Sequence, residues 1–353
     1  MRKRRMTAIT FDPNFSLQKI IKENPNHRVL IEEIEGLIKV YKDGHVERFP
    51  IVPNVTTTLP LELGVISNDV IIDSFTNIWA RLYVPKLCQE KFPLLIYFHG
   101  GGFCVGSASW ICYHEFLAKL AAKANCVIMS VNYRLAPENR LPAAYDDGVK
   151  TIMWLREKVI SGDNEEHWWL SKVNFSSIFF GGDSAGGNIA HNVVKRVCSK
   201  SHDLKPLTLK GTILLQPFFG GELRTYSEKY TAQPPRSALT SASADTYWRL
   251  ALPSGANRDH PWCNPATKEC QNLVDLRDIP GILVCISELD ILKDRNLEFC
   301  ATLNRDAGNY RKVEYVMFKG VGHAFQVLNK SQVAQTRTAE LIAHIKAFIS
   351  KRS

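Results

Sequence analysis

The chain has 353 residues, is 45% hydrophobic and carries a formal charge of +9, which excludes intrinsic disorder and allows one large core. No run approaches eighteen consecutive apolar residues, so no membrane-spanning helix is predicted. The basic residues are scattered except for the opening MRKRR, which argues against nucleic-acid binding and leaves a solvated tail or a localisation signal. Nine cysteines with no Cys-x-x-Cys pair fit free thiols in a reducing compartment better than a disulfide framework or a zinc site. The expectation is a cytosolic protein, also compatible with the nucleus, that needs no metal or other cofactor.

In chain order, residues 15–35 read as a partly helical, amphipathic segment broken near Pro25, suited to a flap. LIKVYKDGHVERF (37–49) is two alternating runs around Asp43-Gly44, the pair favoured by a type I′ hairpin. Short apolar runs then alternate with helical patterns: 92–98, 126–133, 177–182, 211–217, 282–287 and 313–318. Runs buried on both faces and separated by helices predict a mostly parallel α/β sheet. QTRTAELIAHIKAFISK (335–351) predicts a closing amphipathic helix. Residues 220–265 interrupt the alternation, as a lid or binding insertion at the carboxyl edge of such a sheet would.

Gly182-Asp183-Ser184-Ala185-Gly186 has the G-x-S-x-G spacing between a strand run (SIFFGG) and a helical pattern (NIAHNVVKRV). A serine at a sharp strand-to-helix turn projects its hydroxyl above the sheet, and glycines let strand and helix close on that turn. His99-Gly100-Gly101-Gly102 follows the run LLIYF, and consecutive glycines leave backbone N–H groups open to a developing oxyanion. Gly101, Gly102 and Ala185 are the expected oxyanion donors, with His99 shaping the loop.

A serine hydroxyl needs a base, and the base needs a carboxylate to orient it. Among His191, His202, His260, His323 and His344, His323 lies in a small-residue loop after a strand run and is the expected base. Asp290, in the turn after 282–287, is the preferred acid, with Asp294 next; Asp294 reads most simply as an ion pair with Arg295. Val105, Trp110, Phe218, Tyr247 and Trp248 are candidates for a substrate pocket that ordinary core packing would explain equally well.

YFHGGGFCVGSASW, SVNYRLAPENRLPAAYDDG, GGDSAGGNIAH, QPFFGGELRT, YWRLALPSGANRDHPWCNP, ELDILKDRN and GVGHAF stand in an order that resembles the plant carboxylesterases, in the hormone-sensitive-lipase-like branch of the α/β-hydrolases. The likeness covers nearly the whole chain and leans to the carboxylesterase 17 type. It implies an eight-stranded sheet flanked by helices, and a lid from the N-terminal segment (1–36) and the 220–265 insertion. It also implies a triad of Ser184, His323 and Asp290 acting on a small-molecule ester. The gibberellin receptors are similar but lack the catalytic histidine, whereas His323 is present here. Two other roles are open on this scaffold: hydrolysis or elimination on a single plant natural product, and receptor-like ligand binding. The sequence leaves monomer and homodimer open.

Overall fold

The computed structural model describes residues 28–86, 90–162, 167–199, 203–233, 237–267, 281–306 and 313–353. The basic opening and most of the expected flap lie outside these residues. The described end of the flap is not helical. Leu30–Ile34 (β1) pairs antiparallel with Ile38–Tyr41 (β2), which pairs with Val46–Arg48 (β3). This stretch is too short for a stable helix of its own, and Gly36, at φ +69°, turns it onto β2 instead. The β2–β3 turn also differs from type I′, which needs positive φ at both central residues. Only Gly44 has it; the Gly44 amide donates to the Tyr41 carbonyl and the Tyr41 amide to the His45 carbonyl, the geometry of a three-residue loop with a glycine bulge.

The main sheet has eight strands: Val65–Asp73 (β4), Ile78–Pro85 (β5), Phe92–Phe98 (β6), Val127–Asn132 (β7), Val173–Asp183 (β8), Leu209–Leu215 (β9), Gly281–Ser287 (β10) and Val313–Phe318 (β11). Their order is β11-β10-β9-β8-β6-β7-β5-β4. From β11 to β7 every pairing is parallel, and β5 and β4 close the sheet antiparallel. Period-two side-chain alternation splits β6 between two cores. Phe92, Leu94, Ile96 and Phe98 face one core, and Leu95 and Tyr97 the other.

Helices Ile111–Ala124 (α1) and Gln332–Ser350 (α8) cover the second face. Ala143–Ser161 (α2), Ala185–Cys198 (α3) and Lys293–Asp306 (α6) cover the first. In α8, Leu341, Ile342, Ile345, Phe348 and Ile349 are buried at helical spacing, and the Ser331 side chain caps its N-terminus by accepting from the Ala334 amide. The helix therefore begins a turn before the stretch read from the sequence.

The 220–265 insertion carries Tyr226–Tyr230 (α4) and Ser241–Ala251 (α5), with capping boxes at Thr225 and Thr240. Two ion pairs fasten these pieces. Arg249 forks onto Glu32 of β1 at 2.7 and 2.9 Å. Arg295 of α6, 7% exposed, holds Glu228 of α4, 4% exposed, at 3.1 Å.

Candidate active site

Ser184 stands between the end of β8 and the start of α3, at φ +52° and ψ −120°. A non-glycine residue rarely adopts this conformation, and such strain persists only where the surroundings dictate it. Here the Ser184 amide donates to the Leu215 carbonyl, and its carbonyl accepts from the amides of Asn188 and Phe218. The turn closes because Gly186 has no side chain: a Cβ there would lie 1.9 Å from the Phe98 carbonyl oxygen.

The loops after β10 and β11 supply the partners. The Leu289 amide donates to the Val321 carbonyl, and the Gly320 amide donates to the Glu288 carboxylate at 2.9 Å. These bonds hold Asp290 and His323 side by side. His323 Nδ1 lies 2.7 Å from Asp290 Oδ2, and Nε2 lies 2.9 Å from Ser184 Oγ. A carboxylate can only accept, so the ring proton sits on Nδ1 and Nε2 is free to accept the serine proton. All three side chains are sequestered, at 6% exposure for Ser184, 5% for His323 and 1% for Asp290. Burial pulls the His323 pKa down, but the Asp290 charge and hydrogen bond, with a contribution from Asp183, outweigh it and leave the pKa raised above 6.5.

The other candidates are engaged elsewhere. Asp294 accepts from the Ser227 amide at the start of α4, and Arg295 pairs with Glu228 and Glu298 rather than with Asp294. The expected Asp294–Arg295 pair does not form because Arg295 turns into the insertion. His191 is buried edge-on to Phe219 and Phe299, with its pKa lowered to about 3 by burial. His344 packs edge-on to Phe318, and His260 accepts from the Trp262 amide. His202 lies outside the described residues.

The glycine loop after β6 arches over the serine. The amides of Gly101, Gly102 and Ala185 have no hydrogen-bond acceptor among the described residues. Gly101, at φ +114°, is required by close approach: a Cβ would stand 2.1 Å from the Val105 carbonyl oxygen, which accepts no such intrusion without moving the backbone. Gly101→Ala is therefore expected to displace the loop and lower kcat by about 10²–10³-fold, the effect of losing one oxyanion donor, while KM changes less; steady-state kinetics on a chromogenic ester check this.

His99 is buried and stacks on Tyr133 at 4.3 Å; its Nδ1 lies 2.7 Å from the Gly100 carbonyl, to which it donates. Burial lowers its pKa to about 4, so it stays neutral. Asp183, fully buried, anchors the loop from below. Its carboxylate accepts from the Tyr97 hydroxyl at 2.8 Å, the Tyr113 hydroxyl at 2.9 Å and the Gly100 amide at 3.1 Å. Burial raises its pKa to about 6 against these donors. The sequence reading gave no role to Tyr97 or Tyr113, which are apolar-patterned positions on β6 and α1 until the fold brings them under the loop. Arg48 of β3 pins the other end by donating to the Cys104 carbonyl at 2.6 Å and the Ala136 carbonyl at 2.8 Å.

The serine opens into a cavity of about 700 Å³. Of the pocket candidates, Val105, Trp110 and Tyr247 line it, together with Leu37, Leu239 and Leu328. Phe218 and Trp248 do not line it. They stack on each other at 4.6 Å and pack with Phe103 in the core beneath the loop, which is the packing outcome that aromatic residues commonly find. Both segments read as a lid reach the cavity: Glu35 and Gly36 from one, Ser237, Leu239 and Tyr247 from the other. Among the described residues no group of three or more metal-ligating side chains is assembled.

A family model described as α/β-hydrolase fold matches residues 95–327. The chain belongs to this family. Among its relatives, the probable carboxylesterase 6 of Arabidopsis thaliana is 51% identical, over 94% of this chain and 96% of that protein. The gibberellin receptor GID1C of the same plant is 36% identical, over 80% and 81%. A 2-hydroxyisoflavanone dehydratase of Glycyrrhiza echinata is 33% identical, over 90% and 95%. In structure, the hydrolase resembles an esterase of the archaeon Pyrobaculum calidifontis, with a TM-score of 0.65 and 25% identity over 80% of this chain and 83% of that one. These relatives agree with the plant carboxylesterase resemblance of the motifs. No helix among the described residues is long and apolar enough to cross a membrane.

Proposed function

We propose that this α/β-hydrolase is a serine carboxylesterase acting on small, uncharged esters, with Ser184 as nucleophile, His323 as base and Asp290 as orienting acid. The observation that carries the reading is the unbroken line from Ser184 Oγ through His323 to Asp290. Ser184 attacks the ester carbonyl carbon as its proton passes to His323 Nε2. The carbonyl oxygen, now an oxyanion, is held by the N–H groups of Gly101, Gly102 and Ala185. The C–O bond to the alcohol breaks as His323 returns the proton to the leaving oxygen, and an acyl-serine remains. Water, deprotonated by the same imidazole, attacks the acyl carbon; the serine oxygen leaves with that proton and the acid is released.

The apolar walls favour an apolar acyl or alcohol group. Glu35 on the rim and Asp183 near the serine disfavour anionic substrates. The hydrogen-bonded histidine favours chemistry over receptor-like binding. Six of the seven described cysteines, Cys104, Cys112, Cys126, Cys263, Cys285 and Cys300, are free thiols, in keeping with a reducing compartment such as the cytosol.

Hydrolysis of p-nitrophenyl esters from acetate to octanoate tests the reading, and its pH dependence adds a sign. Protonated His323 cannot accept the serine proton, and its pKa is raised. Therefore kcat/KM is expected to rise with pH through an ionisation above 6.5 and then level off. A folded protein that turns over none of these esters, or whose rate falls as pH rises through that range, would contradict the proposal.

A further inference from the structure

Behind the catalytic cavity lies a second concavity. The short helix Phe325–Leu328 (α7) follows His323 directly; Ala324 and Leu328 line the catalytic cavity, whereas Gln326 and Val327 line a groove of about 630 Å³ between α1 and α8. The size suits a small organic ligand. Its floor is apolar and buried, formed by Cys112, Phe116, Val327 and Ile342. Its rim is cationic.

Lys119 and Lys123 of α1 and Lys346 of α8 line the groove with exposed side chains. Among the described residues none of the three has a carboxylate partner, whereas Lys330 is paired with Glu115 at 2.9 Å. Lys119 and Lys123 stand one helical turn apart, a like-charge spacing that costs stability until an anion offsets it. Lysine stems can lie along apolar surface while their ammonium groups gather at its edge. Gln326, 8% exposed, buries both its amide atoms on the groove wall without a hydrogen-bond partner among the described residues. An unpaired buried amide is costly, and because both its atoms are closed to solvent the site rests on the apolar floor and the lysine rim.

We propose that this groove is a binding site for a carboxylate-bearing amphiphile, with the chain on the Phe116–Val327–Ile342 floor and the carboxylate among Lys119, Lys123 and Lys346. The occupant is a free small molecule: the surface is a concave slot between two helices, whereas a membrane face would call for an exposed apolar ridge. The site requires no catalysis and stands or falls apart from the esterase reading.

Isothermal titration of octanoate into the full-length protein tests it, with 1-octanol as the uncharged control. The wild type is expected to bind one octanoate, at least tenfold more weakly in the K119E/K346E double variant and also more weakly as salt rises from about 0.02 to 0.3 M. The A339W variant, which fills the groove from α8 without altering charge, is expected to lose binding as well. Since Lys119, Lys346 and Ala339 are all exposed, the variants should melt at the wild-type temperature and hydrolyse p-nitrophenyl acetate at the wild-type rate. Absence of octanoate binding, equal affinity in wild type and K119E/K346E, or equal affinity for octanol would overturn the proposal. Equal affinity in the variant would place the ligand in the catalytic cavity instead.

Discussion

Ser184→Ala is expected to lower kcat for p-nitrophenyl butyrate by about 10⁶-fold, the scale on which hydrolases of this chemistry lose activity when the nucleophile is removed. The change takes away one oxygen whose only hydrogen bond among the described residues is to His323. It leaves the β8–α3 turn in place, because alanine meets the same backbone demand as serine at φ +52°. The variant should therefore melt within a degree or two of the wild type and bind ester with similar KM while no longer releasing p-nitrophenol. Residual turnover within a hundredfold of wild type would mean that another group forms the covalent bond.

Asp290→Asn is expected to cost about 10⁴-fold in kcat, through the tautomer of the histidine rather than its position. The two carboxylate oxygens have different partners: Oδ1 accepts from the Leu292 amide at 3.0 Å, and Oδ2 faces His323 Nδ1 at 2.7 Å. Asparagine has one acceptor for these two donors. If its oxygen stays with the Leu292 amide, its NH₂ points at Nδ1 and moves the ring proton to Nε2, where it faces Ser184 and blocks proton transfer. The variant also lacks the charge that raises the His323 pKa. Its residual activity should accordingly titrate at lower pH than that of the wild type, a shift that a mere loss of stability would not produce. Rates recovered by hydroxide above neutral pH with an unshifted ionisation would argue against this role.

The parts of this molecule that the sequence made legible are those where local pattern and tertiary role coincide. β6, β10 and the second half of β8 are buried on both faces, so each appears as a short apolar run. The nucleophile turn shows through because its glycines are forced by contacts as close as that of Gly186 to Phe98. Strands β4 and β5 were less visible because their apolar runs are diluted. Ser67, Asn68 and Asp69 lie on the edge strand, and Arg81 sits in mid-strand, where it is tolerable because Asp69 across the pair accepts two of its hydrogen bonds, at 2.7 and 2.9 Å, and the Val55 and Thr56 carbonyls accept from its remaining NH₂ group.

Non-local partners were invisible for the same kind of reason. Nothing near Asp183 in the chain announces that Tyr97 and Tyr113, some 70 to 86 residues away, donate to it. Similarly, nothing around Phe218 and Trp248 distinguishes an aromatic pair that stacks in the core from one that lines a cavity. Tyr247, the immediate neighbour of Trp248 on α5, does reach the cavity, because successive residues of a helix point about 100° apart.

The central claim is that Ser184 becomes covalently bonded to the substrate's electrophilic centre. Incubation with diethyl p-nitrophenyl phosphate, followed by peptide mass spectrometry, tests it most directly. Attack at phosphorus expels p-nitrophenol and leaves a diethylphosphoryl group that the site removes far more slowly than an acyl group. The account predicts one equivalent of p-nitrophenol and a single modified peptide carrying the group on Ser184, with no label in Ser184→Ala. Label on another residue, or none on protein that hydrolyses esters, would contradict it.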